Sequence, residues 1–275
     1  MKKAIMFLLT GMLLASLLAM PTLAIEIDEK DFDGNMNDPG CVPITFRLPD
    51  KESPDWSTSN DSTHQFLVQR AFEIICRNYA SNPFNDSSNY ITLLRNGADW
   101  PDQYENDSAS WMYKGHFYDP DTGKNYMGET SPTAKSRFLA WYNQAVQSYK
   151  SNLKTTAMQQ LGRALHYVGD LGVPQHAANL TAGDIGSYHL QFEAYAVENQ
   201  HSYLVLNVSS DTFTWARNTS PSNMAQNFAV FSKGWIDEAK NPNTFATALS
   251  NTLTKSQRNC AAIMYRFMLD IGYIN

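Results

Sequence analysis

Five of the six histidines in this 275-residue sequence stand near carboxylates at spacings that suit divalent metal ions. The densest run is HYVGDLGVPQHAAN, residues 166–179, in which His166 and Asp170 lie four apart within a helical pattern and so share a face. His189 and Glu193, in HLQFE, repeat that geometry, and His176 falls between the two pairs. Zinc bound by imidazole nitrogen and carboxylate oxygen at about 2.0–2.2 Å needs convergent pairs of this kind. Taken singly, each pair reads more readily as a solvated contact on a helix face than as a metal site. Two pairs between residues 166 and 193 favour a metal-assisted hydrolase. Gly169, inside the first pair, costs a helix about 1 kcal/mol relative to alanine, which implies close approach of a bulky or charged group or, alternatively, ordinary close helix packing. Pro174 is expected to end the helix and to send His176 into a loop.

Further candidates come from other segments. His116 sits in GHFYDPDTG and Asp102 in WPDQYEN, both within a long irregular stretch from Asn96 to Ser131 that is rich in Gly, Asp, Asn, Pro and aromatic residues. A loop is expected to bring both into the cleft. Asp102, beside a water acidified by metal, would serve as general base. Asp99, Glu105 and Asp107 compete for that role, and a turn-forming Asp after Pro is the alternative for Asp102. His116 reads alternatively as packed among Phe117 and Tyr118, and His201 as an ordinary surface residue.

The elements that must position these groups are helical. Apolar spacing predicts a helix over Thr63 to Asn78 capped by Ser62 or Thr63, with His64 in its first turn, and a shorter one over Asn89 to Arg95. Ser131-Pro132 reads as a helix start, followed by the core stripe Phe138, Leu139, Tyr142, Ala145, Val146 and Tyr149. Further helices are expected from about Thr155 to Leu171, from His189 to Gln200, from Ser220-Pro221 toward Lys240, and, as one or two, from Asn243 to Gly272. LVLNV, residues 204–208, is the only modest strand signal. The expected fold is all-α, a compact multi-helix bundle whose metal ligands project from several helices into a shared cleft.

Residues 1–24 combine a basic start, an apolar run and a small residue before the break, as a signal peptide does, an uncleaved anchor being the alternative. The acidic, aperiodic stretch 25–55 suits a removable pro-segment, which leaves 56–275 as the catalytic domain. The protein is therefore expected to be secreted and monomeric, with no transmembrane segment once the signal is removed. Three cysteines are too few for a disulfide framework; with Cys41 in the pro-segment, Cys76 and Cys260 are left to bridge or to lie buried. Asn-x-Ser/Thr sites at Asn60, Asn85, Asn106, Asn179, Asn207 and Asn218 fit export. A net charge of −6 and no Lys/Arg run argue against long phosphate tracking along nucleic acid.

Together, HYVGDLGVPQHAAN, WSTSNDSTHQFLVQRAFEII, WPDQYEN, GHFYDPDTGKNY and the HxxxE pair of YHLQFEAYAVEN resemble the zinc-dependent bacterial phospholipase C family. That family includes phosphatidylcholine-hydrolysing enzymes of bacilli and the catalytic domain of clostridial alpha-toxin, and it is more distantly similar to single-strand nucleases and 3'-nucleotidases. The resemblance implies three zinc ions: one on His116, His166 and Asp170, one on His176, His189 and Glu193, and one on His64, a bridging Asp170 and Trp56. In the family that tryptophan binds through a free amino group, so cleavage before Trp56 would complete the site. It also implies phospholipid at a membrane or micelle surface as substrate, with Tyr113 as the aromatic contact for a headgroup. Gly172 stands where the family usually has Asn, Asp or Ser, and Ser57, Thr58 and Ser59 stand where a carboxylate is expected. No second domain is expected after the helices. Glu193, Ser57 and HFYDPDTG favour the lipase over the nuclease group; a non-enzymatic metal- or membrane-binding protein remains the reading of a different class.

Overall fold

The computed structural model describes residues 62–105 and 112–275. Local signals start several of its helices. Helix α1, Thr63–Asn78, begins where the Ser62 hydroxyl accepts from the Gln65 amide at 3.1 Å. Helix α2 spans Tyr90–Tyr104. In α3, Ala134–Lys150, Thr133 and Ser136 satisfy each other's backbone amides in a reciprocal cap. Helices α4, Lys154–Leu171, and α5, Pro174–Ala177, are separated by a short turn, and α6, His189–Asn199, follows after a loop. The rest are α7, Ser210–Asn218; α8, Pro221–Lys233, capped by Ser220; α9, Ile236–Ala239; and α10, Phe245–Asp270. Among the described residues there is no strand, only an isolated bridge between Asp119 and Lys124.

The structure corrects the sequence reading in several places. Helix α2 does not stop at Arg95 but runs through Gly97 and Pro101 to Tyr104, so Asp102 sits on a helix and not in a loop. Its inner face, Leu94, Gly97, Ala98 and Pro101, is buried, and that packing overrides the two residues that would weaken an isolated helix. Ser131-Pro132 lies ahead of α3, whose cap is Thr133. Pro174 opens a new turn at the first helical position, and His176 belongs to that turn. Residues 204–208 are irregular; the buried guanidinium of Arg70 and the side chain of Gln257 bond the backbone there where a neighbouring strand would. His201 is half-buried with its ring edge-on to Phe66, not a surface residue. Cys76 and Cys260 are separate buried thiols.

Helix α4 is the central element. It packs against α2 and α3, and it also touches α1, α8 and α10. From Ala164 to Leu171 every residue is buried, so this stretch has no solvent face. The crossing with α2 is made by two glycines: a Cβ on Gly162 would stand 2.9 Å from the Gly97 Cα and would strike the Leu94 carbonyl. Neither obstacle is a side chain that can swing away. Alanine at Gly162 would gain about 1 kcal/mol of helix propensity against about 1–3 kcal/mol of overpacking. Gly162→Ala is therefore expected to lower the urea midpoint, by a net loss of up to about 2 kcal/mol. An unchanged or raised midpoint would show that the two helices are free to part.

Candidate metal centre

Asp170 lies at the middle of the site. It is 2 % exposed, in the last turn of α4, and its two oxygens face different histidines. Oδ2 is 3.0 Å from His116 Nδ1 and 3.2 Å from His166 Nε2. Oδ1 is 3.3 Å from His176 Nδ1 and 3.7 Å from His64 Nε2. The nitrogens of His116 and His166 are themselves 3.1 Å apart, and Asp102 Oδ1 stands 3.6 Å from each. These edges bracket the separation of about 3.3 Å that a tetrahedron of donors has around zinc with bonds near 2.0–2.1 Å. His166 donates from Nδ1 to the Ala98 carbonyl at 2.7 Å, which fixes the ring so that Nε2 faces the group. That carbonyl belongs to α2, the helix that also supplies Asp102.

A second group forms between α5 and α6. His176 Nε2 and His189 Nε2 are 2.9 Å apart, and Glu193 Oε1 lies 3.3 Å and 3.0 Å from them. Three donors with these edges leave one tetrahedral position for a water or substrate. His64 belongs to a third set. Its ring stacks on His166 with centroids 3.9 Å apart, and His64, Asp102 and His166 can converge on one ion. Trp56, the ligand that the resemblance adds to this set, lies outside the described residues. Zinc fits the donors present: imidazole nitrogens face one another at contact distance in a pocket that also holds three carboxylates.

Electrostatics bind these groups together. Burial lowers His166 and His176, but Asp170 with Asp102 outweighs it for the first ring and Asp170 with Glu193 for the second, so they rise to about 9 and about 10. Burial would raise Asp170 and Glu193, yet the facing histidines hold both well below the usual carboxylate range. His64 is held below the usual imidazole range, first by burial and then by the neighbouring His166.

Of the competitors to Asp102, Asp99 accepts from Ser62 at 2.5 Å and from Gln65, tying α1 to α2. Glu105 accepts from the Trp141 indole at 2.8 Å and pairs with Arg137, and Asp107 is outside the described residues. The signal carried by Gly169 has a definite source: a Cβ there would stand 2.6 Å from His64 Nδ1. Tyr113, in left-handed backbone with φ 47°, precedes the turn that holds His116, and its ring meets that histidine edge-on at 5.4 Å. Sequence reasoning missed the Ala98 carbonyl, since a backbone acceptor has no residue-type signature. All the donor residues except the fully buried His166 line one cavity of about 1120 Å³, whose walls include Leu67, Phe117, Leu190, Phe192, Leu249 and Leu253.

A helical scaffold that spends its most buried turns on imidazoles and carboxylates is that of a metalloprotein with adjoining ion sites. Comparison with known proteins agrees: the family described as zinc dependent phospholipase C matches residues 63–257. Phospholipase C of Bacillus cereus is 30% identical over 203 residues, covering 70% of each chain. Phospholipase C of Clostridium haemolyticum is 27% identical over 253 residues, covering 80% of this chain and 62% of the relative. Among solved structures, alpha-toxin of Clostridium perfringens shares the fold with a TM-score of 0.67 at 24% identity, covering 78% of this chain and 65% of that one. The chain thus spans under two thirds of the length of its clostridial relatives. It belongs to the zinc dependent phospholipase C family.

Two outcomes follow from this geometry. In Gly169→Ala the His64 ring has to swing off Asp170, while the helix gains up to about 1 kcal/mol. Thermal stability of the metal-free protein should therefore hold while zinc per chain, read by elemental analysis, falls; full zinc content would show that His64 is dispensable. In the metal-free protein His166 and His176 carry protons at pH 7, and zinc must displace them. Zinc titration in weak buffer should release protons, and apparent affinity should rise with pH up to about 10. Affinity flat between pH 6 and pH 8 would contradict this (roughly the span over which both rings stay protonated).

Proposed function

We propose that the chain is a secreted zinc phospholipase C that cleaves the glycerol-side phosphodiester of phospholipids, giving diacylglycerol and a phosphorylated headgroup. The observation that carries this reading is the contrast within one cavity: the donor groups form part of its wall, other wall residues are apolar, and among the described residues no lysine or arginine lines it. A phosphate ester attached to a hydrocarbon suits such a cavity. A nucleic acid strand, which needs cationic side chains along its backbone, suits it less. The domain scheme is part of the proposal: 1–24 as signal peptide, 25–55 as pro-segment and 56–275 as catalytic domain, with Trp56 freed to complete a third ion site. No helix among the described residues is long and apolar enough to cross a membrane.

Bound zinc would supply positive charge to the phosphate oxygens and make nearby water more acidic. His116, His166 and Asp170 would hold one ion, His176, His189 and Glu193 a second, and His64 with Asp170 and Trp56 a third. Asp102 differs from Asp170 in access, with 47% of its side chain exposed against 2%. It can take the proton of the attacking water and hold it for the leaving group. As the new oxygen–phosphorus bond forms, the bond to the glycerol oxygen breaks, and that proton returns to the departing alkoxide. Tyr113 would offer its ring face to the headgroup.

Asp102→Asn should lower phosphatidylcholine turnover by about 10²–10⁴-fold while the ion on His176, His189 and Glu193 is retained. Unaltered turnover would remove Asp102 from this role. Faster hydrolysis of single-stranded DNA than of phosphatidylcholine by the native protein would transfer the assignment to the nuclease group. Neither activity, with a full zinc complement, would leave a binding protein.

A further inference from the structure

We propose that the lip of this cavity, formed by Ile185, Tyr188, Leu190 and Val197 together with Tyr113, docks onto an uncharged or zwitterionic lipid surface by apolar insertion. The inference rests on the phospholipase reading and extends it from the bond cleaved to the surface on which the protein sits. Ile185 is fully exposed at 106%, Leu190 is 62% exposed, and Tyr113, Tyr188 and Val197 lie between 38% and 40%. Apolar side chains exposed singly need no explanation, but a group that continues into a ligand cavity does. Here the continuity is direct. Tyr113, Leu190 and Val197 also line the cavity, as do Thr181, Ala182 and Gly183 of the turn that presents Ile185.

That turn is built to hold its apex outward. The Asp184 carboxylate accepts from the Thr181 amide at 2.6 Å and from its hydroxyl at 2.8 Å. The Asp184 amide donates back to the Thr181 carbonyl at 3.1 Å, and the Ser187 amide donates to the Asp184 carbonyl at 3.1 Å. Helix α6 then has two roles: His189 and Glu193 supply a donor group, while Leu190 and Val197 reach the opening. Insertion at this lip would set the donor cluster directly beneath the headgroups.

Charge selects the kind of surface. From Ala164 to Ala216 the sequence contains no lysine or arginine, and the whole chain carries a net charge of −6. Attraction to anionic lipid draws on basic side chains near the bilayer, each worth about 1 kcal/mol; the segment bearing Ile185, Tyr188, Leu190 and Val197 has none, and Lys114, next to Tyr113, is paired with Glu129 at 3.0 Å. Binding must then come from buried apolar area. It should be insensitive to salt and should not gain from phosphatidylserine.

The test uses the zinc-loaded full chain and sucrose-loaded vesicles of a phosphatidylcholine analogue whose glycerol-side link is a carbon–phosphorus bond and resists hydrolysis. Ile185→Asp should cut partitioning onto these vesicles by at least about tenfold and slow hydrolysis of ordinary long-chain vesicles in parallel. Turnover of dissolved short-chain phosphatidylcholine should not change, because Ile185 touches no donor. Equal partitioning of the native chain and Ile185→Asp overturns the proposal, as does binding that strengthens with phosphatidylserine and disperses in salt. A dimer that Ile185→Asp dissolves, with vesicle binding unaffected, assigns the lip to a second copy and overturns it as well. Should the native chain fail to hydrolyse the short-chain lipid while partitioning still depends on Ile185, the phospholipase reading fails and the docking surface stands.

Discussion

The burial of the Asp170 carboxylate constrains everything around it. Placing an ionised carboxylate inside a protein costs several kcal/mol unless compensating charges meet both its oxygens. Four histidines surround Asp170, and they come from four elements: His64 from α1, His116 from the turn before α3, His166 from α4 itself and His176 from α5. None of these elements can drift without exposing an unpaired charge in the interior. Three of the glycines at close approaches serve this constraint. Gly97 and Gly162 let α2 come near enough for Ala98 to fix the His166 ring, and Gly169 leaves room for His64.

Because the same donors accept either protons or metal, folding and metal binding are linked in this protein. His166 and His176 are raised by the carboxylates they face, so protons can hold the cluster together when metal does not. For a raised imidazole the sign is fixed: its contribution to the metal-free fold is complete below its unfolded value and is lost as pH climbs through the folded one. The lowered carboxylates contribute in the opposite sense, keeping their stabilisation until acid reaches them. The metal-free cluster is thus most cohesive when both partners are charged, and zinc extends that cohesion to higher pH by replacing the protons.

How much of this was legible in the sequence depended on range. Pairs four residues apart on a helix have their geometry set by the helix, and His166 with Asp170 and His189 with Glu193 meet as the spacing requires. The helix of residues 63–78 was equally legible, since an apolar stripe and a serine cap agree. Helix α2 was not. Its second half contains Gly97 and Pro101, and what keeps it helical is α4, a partner distant in sequence. Helix α7 went unread because its polar sequence buries only Phe213 and Ala216. Gly169 lay between these cases: the glycine announced a close neighbour, but only the packing of α1 on α4 identified that neighbour as His64. The motif-level resemblance supplied the grouping of ligands that no local spacing could, since His116 and His166 are brought together by tertiary packing.

Among the described residues no lysine or arginine lines the cavity, and on the proposed reading this gives zinc a role beyond the chemical step. The charged His166 and His176 offset only part of the three carboxylates Asp102, Asp170 and Glu193, so the protein alone presents little attraction to an incoming phosphate. Two like charges about 4 Å apart repel by about 1 kcal/mol in water and by several kcal/mol where water is excluded. Many phosphate sites rely on arginine or lysine for attraction, and those residues remain charged whether or not a metal is bound. In the proposed mechanism attraction and catalysis draw on the same ions. On the proposed reading a zinc-depleted chain therefore loses affinity for the phosphodiester together with turnover, while the apolar lip, which needs no charge, keeps its hold on the lipid surface.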